Sequence, residues 1–464
     1  MGKRHIALLG ICFLIFLAGC QKGQSAEDGA DSNLTGEPEL TKTATPEAQP
    51  SPTPFVNDFE HASAELLADY EALAVLDADG VRGNLYLPLA GENGAAIVWK
   101  SSNPEVISDE ERQNENYDAT PAGVVIRQED DTRVTLYAYL TLGEATLRKE
   151  FEVTVLAKPK EKEYTDYLFA YFTGNGANQE AISFAVSKDG FSWSALNYRR
   201  PVLVSELGTK GLRDPFLLRS AEGDRFFLIA TDLCIAADGD WWKAQTEGSR
   251  SIMIWESEDL VHWSEQRMVE VNKKTAGCTW APEAYYDEVT GEYLVFWASR
   301  VSSDGYARQR VYYVKTRDFV NFTEPKVWIG YDHDTIDTTV VKEGEMYYRF
   351  TKYEGESRII LECAKRLLDT WTKVESASLY AQEGVEGPCC FALNAEDVQE
   401  GENYVLLLDQ YGGIGYYVMT CSSLADGVFE KKIGYALPRP RPRHGTVISL
   451  TKEEYEGVVE AYGK

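Results

Sequence analysis

The chain has 464 residues, in which 46 Lys and Arg face 74 Asp and Glu, for a formal net charge of −28 at pH 7. This argues against a nucleic-acid partner, because phosphate binding draws its affinity from clustered Lys and Arg; an acidic chain with 27 Tyr and 10 Trp suits a neutral ligand such as a sugar. In chain order, Lys3 and Arg4 precede an apolar run from Ile6 to Ala18, and Leu17-Ala18-Gly19-Cys20 closes it. The run is too short for a membrane span, and a charged start, a short hydrophobic stretch and small residues before a cysteine mark residues 1–19 as an export signal. Residues 20–57 are rich in Ser, Thr, Pro, Glu and Gln, cannot bury enough surface to order themselves, and read as a tether. Residues 58–160 carry alternating runs at 95–102, 123–127, 134–142 and 150–157, the pattern of a small β-sandwich.

Residues 161–464 are long enough for one large all-β domain. Five times an acidic residue or a histidine opens a short apolar strand: Arg213-Asp214-Pro215-Phe216, Ala281-Pro282-Glu283-Ala284, Ile336-Asp337-Thr338-Thr339, Val385-Glu386-Gly387-Pro388 and Arg443-His444-Gly445-Thr446. A second strand follows each of the first four: GDRFFLIAT from Gly223, GEYLVFWAS from Gly291, GEMYYRFTK from Gly344 and NYVLLLD from Asn403. Self-similarity at about 50 to 70 residues with several strands per unit predicts a five-bladed β-propeller, the first strand of each blade lining the axis. Six scattered cysteines, from Cys234 to Cys421, lack both disulfide density and CxxC spacing and are expected to be buried thiols.

Asp214, Asp337 and Glu386 are expected at equivalent positions of blades one, three and four. Alone, each is an ordinary turn residue. Carboxylates facing one another across a sugar-sized hole supply what glycoside hydrolysis needs, an acid for the leaving oxygen and a base for water. Glu283 faces the same axis and Trp280 belongs to its motif, while Trp241 and Trp242 sit in a polar loop (237–250) where an aromatic can stack on a sugar; Arg213 precedes the first acid.

The order RDP, WAPE, IDTT, EGP, RHG resembles the five-bladed glycoside hydrolases of family 43, which include α-L-arabinofuranosidases, arabinanases and β-xylosidases. The resemblance implies an inverting hydrolase of plant cell-wall polysaccharide in which Asp214 is the general base, Glu386 the general acid and Asp337 the carboxylate that orients the acid and favours its protonated form. For inversion the base and acid should stand about 6.5 to 9.5 Å apart. It also implies that His444 contacts substrate, or a calcium ion through water; no cofactor is otherwise required. Residues 99–108 and 151–156 resemble bacterial immunoglobulin-like modules. The N-terminus resembles a lipoprotein signal, with Cys20 as the lipidated residue and the lipid as the sole membrane contact of a monomer at the cell surface. Other readings are a non-catalytic glycan-binding protein on this fold and a five-bladed fructosidase, whose motifs place Asn before Asp-Pro and Cys after the acid, where this chain has Arg213 and Gly387. The turn SKDGFSW (187–193) is one residue short of a sialidase Asp-box, and no ordered set of axial arginines accompanies it.

Overall fold

In a computed structural model, residues 55–463 are described; the expected export signal, Cys20 and residues 20–54 of the expected tether lie outside the described residues. The protein is all-β with few helices.

A helix, Ala64–Ala72, begins at Ser63, whose hydroxyl accepts a bond from the Leu66 N–H, as an N-cap should. It packs on a three-stranded antiparallel sheet of Ala96–Ser101, Thr132–Leu142 and Ala145–Val155. Alternate residues Val134, Leu136, Ala138 and Leu140 of the central strand are buried, and with Leu66, Val81, Leu85, Trp99 and Ile107 they form one core. The expected sandwich is not two sheets among the described residues. The run 123–127 makes only an isolated bridge, Ile107 with Val125, because the Val125 N–H is spent on the Asn84 side chain, 2.8 Å, and Gly123 (φ +90°) turns tightly over the Leu85 carbonyl. Helix and irregular chain form the second layer instead.

Five four-stranded antiparallel sheets follow. Their first strands are Leu212–Arg219, Trp280–Asp287, Thr335–Glu343, Glu386–Ala392 and Gly445–Leu450. Each first strand touches the next, and the fifth touches the first. Every residue of the second strands Phe226–Asp232 and Glu292–Ser299 is buried, as in sheets covered on both faces. In the fifth sheet the C-terminal strand pairs with Asp166–Tyr171, Gly445 opposite Tyr171, and Ser183–Ser187 lies beyond. The two ends of the region are thereby joined in one sheet.

The first strands of sheets one to four all open with a β-bulge, where the register slips by one residue between Arg213 and Phe216, Trp280 and Glu283, Ile336 and Thr338, and Glu386 and Cys389. The extra residue is left-handed each time: Asp214 (φ +48°), Ala281 (+48°), Asp337 (+48°) and Gly387 (+50°). Aspartate and glycine tolerate this region far better than most residues. This corrects the expected equivalence of the three acids: Asp214 and Asp337 share the bulge position, Glu386 stands one residue before it and Glu283 two after.

SKDGFSW is a structural turn that recurs. Asp189, Asp259 and Asp318 each accept two backbone N–H bonds (Phe191 and Ser192; Val261 and His262; Val320 and Asn321), and a Ser or Thr two residues earlier caps the same turn.

The N-terminal part packs on the end of the sheets remote from the bulges. Arg317, nearly buried, donates to the carbonyls of Leu85 and Pro121, both 2.9 Å; Arg127 pairs with Asp224 at 2.7 Å, and the Tyr117 hydroxyl donates to Asp287 at 3.0 Å.

Candidate active site

The bulges gather the acids at one end of the five sheets. A left-handed residue turns its side chain out of the pleat, so Asp214 and Asp337 converge on His444, whose Nδ1 lies 3.4 Å from Asp214 Oδ1 and 3.9 Å from Asp337 Oδ1, while Nε2 is 3.9 Å from Glu283 Oε1. Burial alone would lower the His444 pKa, but these three carboxylates raise it well above the usual histidine value. The imidazolium holds Asp214 below the ordinary carboxylate range despite burial, aided by Arg213 and by the Thr231 hydroxyl, which donates at 3.0 Å. Burial pushes Asp337 up to about 6, with the Glu386 charge adding to it and His444 opposing. Burial likewise takes Glu283 up to about 7.

Glu386 enters beside Asp337. Its neighbour Gly387 donates its N–H to Asp337 Oδ2, 3.0 Å, and packs directly under the His444 ring. The Tyr416 hydroxyl donates to the Gly387 carbonyl, 2.6 Å, and accepts from the Gly445 N–H, 3.1 Å, tying the fourth first strand to the fifth. Two cations grip the Glu386 carboxylate: Lys352 Nζ reaches Oε2 at 3.0 Å and Arg443 Nη2 reaches Oε1 at 2.7 Å. Arg443 also bonds Asp409, the residue directly across the ladder from Glu386. Beside the expected neighbour Asp337, two basic groups therefore reach Glu386 directly. Side chains of Asp214, Asp337 and Glu386 keep 15%, 12% and 21% of their surface exposed, so a ligand can touch all three.

Arg213 is buried and points away from this centre, donating to Asn175 (2.6 Å) and Glu180 (3.0 Å) and lying over the Phe172 ring at 4.4 Å. Its guanidinium is also 5.4 Å from the Trp241 ring, and Trp241 meets Trp280 edge-on at 6.1 Å. Trp241 and Trp242 lie not in a loop but in a short helix, Trp241–Thr246, capped by Asp240. Trp241 thus contacts the side chains of Arg213 and Trp280, whereas Trp242, 58% exposed, turns toward Arg300. All six cysteines from Cys234 to Cys421 are free.

A cavity of about 470 Å³ is lined by all five first strands, through Phe216, Glu283, Thr339, Cys389 and Thr446. Glu283 borders it; Asp214, Asp337 and Glu386 stand outside it at the bulged end.

Among the described residues, no group of three or more His, Cys, Asp or Glu is placed to hold a metal ion. Both ring nitrogens of His444 face carboxylates, Asp214 and Asp337 at Nδ1 and Glu283 at Nε2.

Lys352, Asp409 and Thr231 had no place in the sequence reading. Each is the next-to-last residue of the second strand of its sheet, directly across from the residue before the bulge, Ile336, Glu386 and Arg213 respectively. A polar residue near the end of a largely apolar strand is the signal that could have found them.

Residues 66–158 match the model of an atrophied bacterial Ig domain. The α-L-arabinofuranosidase of Bifidobacterium longum subsp. longum is 33% identical over 455 residues, covering 83% of this chain, which spans 42% of that relative's length. Among solved structures, a putative exo-β-1,3-galactanase from Bifidobacterium bifidum is 13% identical (69% of this chain, 96% of that one, TM-score 0.40), and the α-L-arabinanase of Cellvibrio cellulosa is 10% identical (64% and 92%, TM-score 0.37). Residues 162–456 match the model of a probable glycosyl hydrolase domain related to family 43, and the chain belongs to that family of glycosyl hydrolases.

Proposed function

We propose that the five sheets are the blades of a five-bladed β-propeller, and that this glycosidase removes arabinofuranosyl or xylosyl groups from plant polysaccharide with inversion, as an exported protein anchored through lipid on Cys20. The observation that carries the chemistry is the convergence of Asp214, Asp337 and Glu386 at one partly open mouth, with the charge of each set by a different partner. The likeness to an arabinofuranosidase supports the sugar.

Asp214, kept ionised by His444, accepts the proton of an attacking water as its oxygen bonds to the anomeric carbon. Glu386 gives its proton to the glycosidic oxygen, which leaves with the bonding pair. Asp337 fixes the acid strand through the Gly387 N–H and, when charged, opposes early ionisation of its neighbour. Both groups act in one displacement, after which solvent takes the proton from Asp214 and returns one to Glu386.

The assay is leaving-group dependence. Glu386→Gln should lose about 10²–10⁴-fold on an arabino- or xylo-oligosaccharide and much less on a nitrophenyl glycoside, whose phenolate leaves unaided. Asp214→Asn should be impaired on both. Equal sensitivity of the two variants to leaving group would reverse or remove the assignment.

A further inference from the structure

Lysine is almost never fully buried unless paired, and Lys352 is 1% exposed. It stands between two carboxylates: its Nζ is 3.0 Å from Glu386 Oε2 and 2.5 Å from Glu354 Oε2, with the Tyr411 ring 4.9 Å away. The other charged groups facing Glu386 are Asp337 on the neighbouring first strand, Asp409 across its own ladder, and Arg443 and His444 leading into the fifth sheet. An acid whose two oxygens are both held by cationic donors cannot deliver a proton until one of them lets go.

The two donors differ in their freedom to do so. Arg443 is bonded at once to Asp409, whose side chain is 0% exposed, and to Glu386 Oε1, and its guanidinium lies 5.6 Å from the Phe172 ring. A planar fork fixed on two sides has nowhere to turn. Lys352 is a point charge on a flexible stem with three hydrogens to offer, and Glu354, with 41% of its side chain exposed, is a second acceptor within reach.

We propose that Lys352 is the positioning residue of the acid: it holds Glu386 Oε2 while that oxygen is ionised and passes to Glu354 when the oxygen takes up the proton destined for the substrate. Oε2 is then the donating oxygen, and Oε1, anchored by Arg443, fixes the carboxyl plane. The inference rests on Glu386 being the general acid.

The test follows the basic limb of the kcat/KM profile on an arabino-oligosaccharide, where loss of the protonated acid appears. Lys352→Met removes the cation that favours ionised Glu386, so the limb should move to higher pH by about one unit, while the rate below the limb falls about 10- to 100-fold as the carboxyl loses its hold. Glu354→Gln, at a half-exposed site that leaves the core intact, takes away the competing acceptor; Lys352 then stays on Glu386 and the limb should move to lower pH by a few tenths of a unit. Opposite shifts, both absent with a nitrophenyl glycoside, are the expected signature. If neither variant moves the limb while Glu386→Gln remains sensitive to leaving group, Lys352 is only structural and the inference fails alone. If Glu386→Gln shows no such sensitivity, the general-acid reading fails and takes the inference with it.

Discussion

Gly387 joins the acid to the histidine, and a single methyl group there measures how tightly the centre is built. Its φ of +50° costs an alanine about 1–2 kcal/mol, of which about 0.4–1 kcal/mol is returned by the stiffer unfolded chain. A Cβ would also fall 2.7 Å from His444 Cγ and 2.8 Å from its Cβ. To recover an ordinary 3.4 Å contact, the imidazole or the Gly387 backbone must retreat by about 0.7 Å, and forced overlap in a packed interior costs about 1–3 kcal/mol. The net expectation for Gly387→Ala is about 2–4 kcal/mol of lost stability. Because the displaced ring is the counter-ion of Asp214, kcat/KM should fall about 10- to 100-fold, as misplacement near 1 Å does elsewhere. Gly384→Ala is the control: φ is +65°, but nothing lies within 4 Å of its Cβ position, so only the backbone term applies. Thermal melting and nitrophenyl-glycoside kinetics of both variants separate conformational strain from collision. Equal melting temperatures and equal rates for the two would refute the claim that Gly387 is required by His444.

Asp337→Asn should move the basic limb of the pH–rate profile to lower pH: the wild-type carboxylate is charged above about 6 and opposes ionisation of its neighbour, so its removal lets Glu386 lose the proton earlier. Arg443→Leu should cost about 3–5 kcal/mol at neutral pH, since it strands the buried Asp409 opposite a second carboxylate. Burial already raises Asp409 to about 6 with Arg443 present. Without Arg443 the Asp409 value must rise further above 6, and a carboxylate raised above its unfolded value destabilises once it ionises, so the deficit in a melt of Arg443→Leu should shrink as pH falls toward 6 and be small below it, and a pH-independent deficit would contradict the pairing.

The five strand openings were legible because a β repeat with an acid or histidine at a fixed place in it is visible in one dimension. The relation between those residues was not. A bulge adds a residue to one strand without changing its partner, so Asp214 and Asp337 coincide in space while Glu386 and Glu283, equally prominent in sequence, are displaced by one position before and two after. Arg213 looked like a companion of Asp214, yet its side chain leaves with the opposite pleat toward Glu180. Lys352 and Asp409 were invisible for another reason: the opening of one strand and the close of its neighbour meet across a hairpin, and only the ladder register says which residues face each other. In the N-terminal part the alternation at 134–142 identified a true strand, whereas 123–127 carried the same pattern but spent its backbone donor on Asn84.

The pairing of Gly445 with Tyr171 joins residues 274 positions apart, and the segment that makes it is also the one that carries Arg443 and His444. Contacts of such sequence separation form late, because the loop entropy must be met before they contribute. During synthesis the first four sheets can assemble with Lys352 already beside Glu386 but with His444 and Arg443 still missing. Docking of the fifth sheet's C-terminal strand and arrival of these two cations are then one event, and until the last few dozen residues dock, the chain is a nearly complete fold without a working centre. A protease that nicks the non-strand segment 437–443, which leads into Arg443 and His444, would silence turnover well before the sheets come apart, so loss of turnover should precede loss of β-structure.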